Sequence, residues 1–428
     1  MRLLRFGSPA WRRYLAARST PNGGRDLDRA VARIVDAVRR DGDRALIRLT
    51  ERHDGVRLTA ARIHVPRDEV RALARRAEPA LTKALSEMAR RVEAFHRRQL
   101  EDGFRLKLPG GATVEERTGP IPSVGLYVPG GAGAYPSSVL MNAIPASVAR
   151  VPKVVVVTPP RALESNPAVA AALEIAGLDG DVYRIGGAQA IAALAYGTRT
   201  VPAVAKIVGP GNAWVAAAKR LVRGAVEIDR EAGPSEVVVL ADETASAGWV
   251  AADLLAQAEH GSGDELVALV TPSEALADRV RALVARGADQ GANRAAARRA
   301  LGRRGAIVLV SDLDQGVEAV NALAPEHAEV MVRGAQRLSQ RIVAGAVLVG
   351  RWAPVAVGDY GIGPNHVLPT GGAARHASPL SVRDFQRRWS RVRLSRAALG
   401  RVAPGMVAVA RAEGFMAHAE SILVRLAG

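Results

Sequence analysis

Apolar positions recur along the chain first at helical spacing and then in short unbroken runs. Between residues 27 and 51, Val31, Ile34, Val35 and Val38 share one helix face, a break follows at Gly42, and a second short helix runs through Leu49. Ile63 and Val65 alternate as a short strand. Leu81, Leu85, Met88, Val92 and Phe95 form one stripe on a long helix, with His96 at its exposed end as a solvated or structural histidine. From Ser123 the texture changes. GLYVPGG, VVVVTPP, DVYRIGGAQAIAALAYG and AKIVGPGN each pair an apolar strand with a Gly or Pro turn, most of them leading into an Ala-rich helix. Val237 to Leu240 continues the series as a fully buried strand, followed by ELVALV (265–270), GAIVLV (305–310), AEVMV (328–332) and GAVLVG (345–350). This is the pattern of an α/β fold with doubly wound parallel sheets, and two similar halves suit 428 residues better than one very large sheet. After Pro379 the strand signals fade, and the remainder reads as a C-terminal arm that packs elsewhere.

Composition narrows the function classes. The net charge of +17 comes from Arg dispersed along helical segments, and aromatics make up only 4% of the chain, so the concentrated basic face and stacking residues of a nucleic-acid binder are missing. No apolar run reaches the ~18 residues a membrane span needs. The N-terminus lacks the apolar core of a secretory signal; it is basic and somewhat amphipathic, which suits an N-terminal arm and leaves a transit peptide as the alternative. With no cysteine there is no disulfide, thiolate ligand or cysteine nucleophile, and cytoplasm is the expected compartment.

Candidate chemistry gathers at the junctions. Gln257 and His260 lie three apart at the end of a helix that Gly261 and Gly263 are placed to stop, so an amide oxygen and an imidazole share one face. That is either half of a metal site or an ordinary polar helix end. Glu326 and His327 follow Pro325 just before a strand; they suit two proton-transfer groups, although as an isolated pair they read as surface residues. Asp359 and Tyr360 sit in VGDYGIGPNHVLPT, too rich in Gly and Pro for regular structure, with His366 as a ligand or a hydrogen-bonded loop residue. Glu413 and His418, five apart on one helix, point about 140° away from each other and would flank a site without chelating together. The Gly-rich turns, including Gly130-Gly131-Ala132-Gly133, are natural phosphate seats, yet none is the dinucleotide fingerprint.

Taken together, GLYVPGGAGAYPSSVLMNAIPA, GGAQAIAALAYGT, KIVGPGNAWV, IDREAGPSEVVVLAD, LLAQAEHG, APEHAE, GDYGIGPNHVLPT and AEGFMAHAE resemble the histidinol dehydrogenase family, in the family's order and across nearly the whole chain; residues 1–120 and 271–305 match in pattern more than in motif. The resemblance implies NAD-dependent oxidation of L-histidinol to L-histidine through a bound aldehyde. It implies metal ligands at Gln257, His260, Asp359 and His418, with Zn²⁺ expected and Mn²⁺ tolerated by such a thiolate-free set. The proton-transfer pair falls on Glu326 and His327. Substrate contacts fall on Ser235, Gln257, His260, His327, Asp359, Tyr360, Glu413 and His418, and the NAD side on Tyr127, Gln189 and Asn212. The implied fold is two incomplete Rossmann-like doubly wound domains with a helical N-terminal region and a C-terminal arm exchanged in a homodimer. We expect residues 1–25 as an N-terminal arm, 26–128 with 235–379 as the domain bearing the metal and substrate, 129–234 as the NAD side, and 380–428 as the exchanged arm. A relative acting on another alcohol, such as a sulfonated diol, is disfavoured by Tyr360 and by Glu413, whose carboxylate suits a cationic amine. A non-catalytic binding protein is disfavoured by the complete ligand set.

Overall fold

Valine-rich runs bounded by glycine and proline become the strands of two six-stranded sheets in the computed structural model, which describes residues 1–18, 25–130, 135–230, 233–290 and 293–427. Gly131, Ala132 and Gly133 of the first Gly-rich turn lie outside the described residues. The first sheet runs Arg2–Arg5, Gly305–Leu309, Leu266–Thr271, Glu236–Ala241, His327–Met331, Ala346–Val349, all parallel. Counted in chain order from Glu236, its last five strands stand 3-2-1-4-5. The second sheet repeats that order with Val182–Arg184, Val154–Thr158, Val124–Tyr127, Lys206–Val208 and Glu227–Ile228, and adds His64–Val65 antiparallel at its edge.

Both sheets are buried on both faces, as sheets of parallel strands with crossover helices are. Val237, Val239, Val267, Leu269 and Ile307 meet the helices Ala247–Ala258 and Glu274–Gly287 on one face of the first sheet, while Val238, Leu240, Ala268 and Val330 meet Trp11, Val317 and Val320 on the other. Burying each such side chain stabilises by about 1.5–3 kcal/mol, so packing of these layers outweighs any single polar contact.

The sheets redraw the expected domains. Residues 2–5 are no free arm but an edge strand paired in register with 306–309, and Tyr14 behind them donates its hydroxyl to the carbonyl of Arg304 at 2.8 Å. The segment 26–128, expected beside the metal, joins the second sheet instead: Val31, Val35 and Leu46 share a core with Ile191 and Val215, and Val124–Tyr127 is that sheet's central strand. A hydrophobic helix stripe announces that it needs a partner face without naming which one.

The C-terminal region corrects the reading again. Gln386–Arg393 is an eight-residue strand paired antiparallel with Ala112–Pro120, which also pairs with Arg105–Leu108. Its sequence, QRRWSRVR, is almost wholly exposed, so it carries none of the apolar signal of a buried strand. The helices Arg396–Ala412 and Met416–Ala427 then pack chiefly on each other and leave Met406, Val409, Phe415 and Met416 exposed. No helix among the described residues is long and apolar enough to cross a membrane.

Candidate active site

A parallel sheet of this winding usually offers its ligand crevice at the carboxyl ends of the strands. In the first sheet the chemistry gathers at the opposite edge. Ser235 and Glu236 open the strand Glu236–Ala241, Glu326 and His327 open the neighbouring strand, and the register places Val237 beside His327. A crossover helix returns the chain to the edge where strands begin, so the C-terminal end of Ala247–Ala258 delivers Gln257 and His260 there as well.

Glu326 and His327 are buried, not surface residues. The isolated dipeptide gave no sign of this because burial here comes from the ladder partners and the loops above them. The two strand openings bond across to one another: the N–H of Glu236 donates to Glu326 Oε2 at 2.8 Å, and the N–H of Glu326 donates to Glu236 Oε2 at 3.2 Å. Burial pushes the Glu326 carboxyl well above its usual range; the N–H of Glu236 and the Ser235 hydroxyl oppose this, and the negative charges of Glu236 and Asp359 add to it. His327 donates from Nδ1 to the Glu236 carbonyl at 3.3 Å, which leaves Nε2 bare, buried and without a partner. Burial lowers this imidazole to about 4, Asp359 opposing and His260 and His366 adding to the effect. It is therefore neutral near pH 7 and able to accept a proton.

Asp359 ends a single helical turn, Val355–Asp359, within the stretch expected to be irregular. Its loop is held from behind. Gly361, at φ +76°, lies so close to Met88 that an added Cβ would stand 2.2 Å from Cγ, and Arg91 donates Nε to its carbonyl at 2.8 Å. His366 donates Nδ1 to the carbonyl of Asp359 at 2.9 Å and faces the Ser138 hydroxyl at 3.4 Å, which is the hydrogen-bonded loop role. Asn365 donates Nδ2 to the carbonyl of Met141 at 2.6 Å and meets His96 Nε2 at 3.4 Å. His96, expected at an exposed helix end, is fully buried because this loop folds over it.

Gln257 is fully buried, with neither Oε1 nor Nε2 bonded to anything. An amide in that condition is normally costly, and it stands on the helix that packs against the Val355–Asp359 turn. His260 and Tyr360 are exposed, Tyr360 by 70%. Glu413 and His418 are exposed on the C-terminal helices, where the His418 ring lies 5.1 Å from that of Phe415. They do not share one helix, since the first ends at Ala412 and the second starts at Met416. Among the described residues no three acidic, histidine or cysteine side chains form a cluster of metal-binding size, so His418 does not join His260 and Asp359 within one chain.

Tyr127, Gln189 and Asn212 occupy the carboxyl ends of the second sheet. Tyr127 is buried and its hydroxyl accepts the N–H of Gly187 at 3.1 Å, tying the central strand to the helix Gly187–Tyr196 that carries buried Gln189. Asn212 caps the helix Ala213–Val222, accepting the N–H groups of Trp214 and Val215 at 3.0 and 3.2 Å. Between them Gly209 approaches so closely that an added Cβ would lie 2.2 Å from the Tyr127 carbonyl.

The residues that the pattern reading missed are Glu236, Asn365 and the buried acids Asp253 and Glu329. Glu329 interrupts an apolar run, and that was the signal available.

The family model described as histidinol dehydrogenase matches residues 18–426. The histidinol dehydrogenase of Aquifex aeolicus is 47% identical over 403 residues, spanning 94% of this chain and 92% of that protein. That of Thermobifida fusca is 47% identical over 416 residues, spanning 95% and 94%. The crystal structure of histidinol dehydrogenase from Elizabethkingia anophelis superposes with a TM-score of 0.92 at 32% identity, covering 100% of this chain and 98% of that one.

Proposed function

Because the chain belongs to the histidinol dehydrogenase family, we propose that it oxidises L-histidinol to L-histidine in two NAD-dependent steps through an aldehyde that stays bound. The observation that carries this is the pair at the amino edge: a neutral, buried imidazole with a bare Nε2 beside a buried carboxyl.

In the first step His327 Nε2 takes the hydroxyl proton while the carbinol hydrogen leaves as hydride. With no cysteine in the chain, the second hydride cannot leave from a thiohemiacetal. It leaves from the hydrated aldehyde, formed as Glu326 removes a proton from water, with His327 serving again as base. Ser235, whose hydroxyl supports the Glu326 carboxyl, and Tyr360 border the substrate.

The donor set fits a metal ion: a buried amide with no other partner, an imidazole and a carboxylate at one edge. Gln257, His260, Asp359 and His418 would hold it, with Zn²⁺ expected and Mn²⁺ tolerated. Bound there, it would align the substrate's imidazole and amine, and alignment of this kind contributes several kcal/mol to lowering a barrier. His418 and Glu413 come from the partner subunit in this reading, the C-terminal arm being exchanged in a homodimer; the exposed Met406, Val409, Phe415 and Met416 support it. Tyr127, Gln189 and Asn212 border NAD at the carboxyl edge of a Rossmann-like second domain, and the cytoplasm is the compartment we assign.

The test is stoichiometric. Two NADH formed per histidinol consumed is the expected ratio, and a ratio of one would reduce the activity to a simple alcohol dehydrogenase.

A further inference from the structure

The buried carboxyl of Glu236 has no place in the chemistry just described, yet it accepts a main-chain N–H from Glu326 at the opening of the neighbouring strand. It is 3% exposed at the first position of its strand, where the following residues, Val237 to Ala241, are all apolar. Oε2 accepts the N–H of Glu326 and Oε1 accepts the N–H of Gly371 at 3.1 Å. In return Glu326 Oε2 accepts the N–H of Glu236 itself. The ladder proper begins one residue later, at Val237 and His327. At the mouth of the sheet two side chains thus replace ordinary ladder bonds, each capping the other's peptide group. The Gly371 contact adds a third segment, whose neighbour Thr370 accepts the N–H of Gly233 through Oγ1 at 2.7 Å.

We propose that Glu236 is a positioning residue for Glu326: its carboxyl anchors the Glu326 peptide, and that placement sets Glu326 Oε2 against the N–H of residue 236 so that the other carboxyl oxygen is presented to the reacting water. The inference rests on the reading of Glu326 as the group that activates water in the aldehyde step. An apolar residue at position 236 would leave the buried N–H of Glu326 and the N–H of Gly371 without this acceptor and let the Glu326 peptide shift, carrying its side chain off the N–H of residue 236.

The experiment is a double-mutant cycle in the full-length protein, measuring kcat and KM for supplied histidinal together with the thermal unfolding midpoint. Glu236→Gln keeps shape but offers one acceptor oxygen where two N–H groups wait. It should lower kcat about tenfold with KM within about threefold, since small misplacements of catalytic groups cost up to ~10²-fold. Combined with Glu326→Gln, it should add less than about twofold to the loss of the single Glu326→Gln variant, because it acts through that residue. Glu236→Ala should fall further in kcat than Glu236→Gln; where it does not fold, the Gln cycle decides alone. Wild-type kcat in Glu236→Gln, or losses that multiply in the double variant, would overturn the proposal. Failure of the underlying reading looks different: Glu326→Gln would then slow histidinol and histidinal oxidation equally, or slow neither.

Discussion

His327 donates its Nδ1–H to the carbonyl of Glu236 at 3.3 Å, and this bond leaves Nε2 as the ring nitrogen that would serve as base in the proposed reaction. A main-chain acceptor cannot be titrated away, so the tautomer with a bare Nε2 persists across the working pH range. Burial keeps that nitrogen unprotonated down to about pH 4.

From this geometry His327→Asn should slow both oxidations, since lost general-base catalysis typically costs ~10²–10⁴-fold. Glu326→Gln keeps shape and should slow histidinal oxidation while sparing the histidinol step. NADH formation from each substrate separates the two. Equal losses in both steps for Glu326→Gln would remove the water-activating role and leave Glu326 as support for His327.

Exchange of the C-terminal arm has its own test. Chains carrying His260→Ala and chains carrying His418→Ala should each be inactive, and mixing them should restore part of the activity. A mixed dimer holds one site with both lesions and one with neither. Absence of recovery after subunit exchange is verified would assign His418 to its own chain's site.

Glu329 makes stability depend on pH in an unusual direction. The side chain is fully buried, and burial together with Asp253 raises its carboxyl from 4.5 to about 9. The folded state therefore holds a proton that the unfolded chain has released. The contribution is fully present below about pH 4.5 and is lost as pH rises toward about 9. Glu329→Gln fixes the neutral form, so its unfolding midpoint should pull ahead of wild type progressively across that window, by on the order of a few kcal/mol at the alkaline end. A gap that stays constant from acid to alkali would show that Glu329 does not hold a proton in the fold.

Much of this was legible in the sequence, because the valine runs and their Gly or Pro stops mark buried parallel strands directly. What escaped was whatever depends on a partner surface. Gln386–Arg393 is a strand through pairing with Ala112–Pro120 and carries charge on half of its residues. Leu85, Met88 and Val92 are buried as their stripe predicts, but His96 one turn on is buried only because the loop around Asn365 closes over it. Glu326 looked exposed because a short-range pattern cannot register a carboxyl paired with the peptide of a residue ninety positions earlier.

The two sheets share one winding but carry their candidate sites at opposite edges, and that choice sets the sign of the local field. At the carboxyl edge of the second sheet the helices Gly187–Tyr196 and Ala213–Val222 begin, presenting positive poles suited to an anion such as a pyrophosphate. At the amino edge of the first sheet the helix Ala247–Ala258 ends, and its negative pole faces the place where Gln257 and His260 stand. One topology thereby supplies an anion-seeking end and a cation-seeking end without a change of fold. In the proposed reaction the positively charged amine of the substrate would be drawn to one, and the doubly phosphorylated carrier to the other.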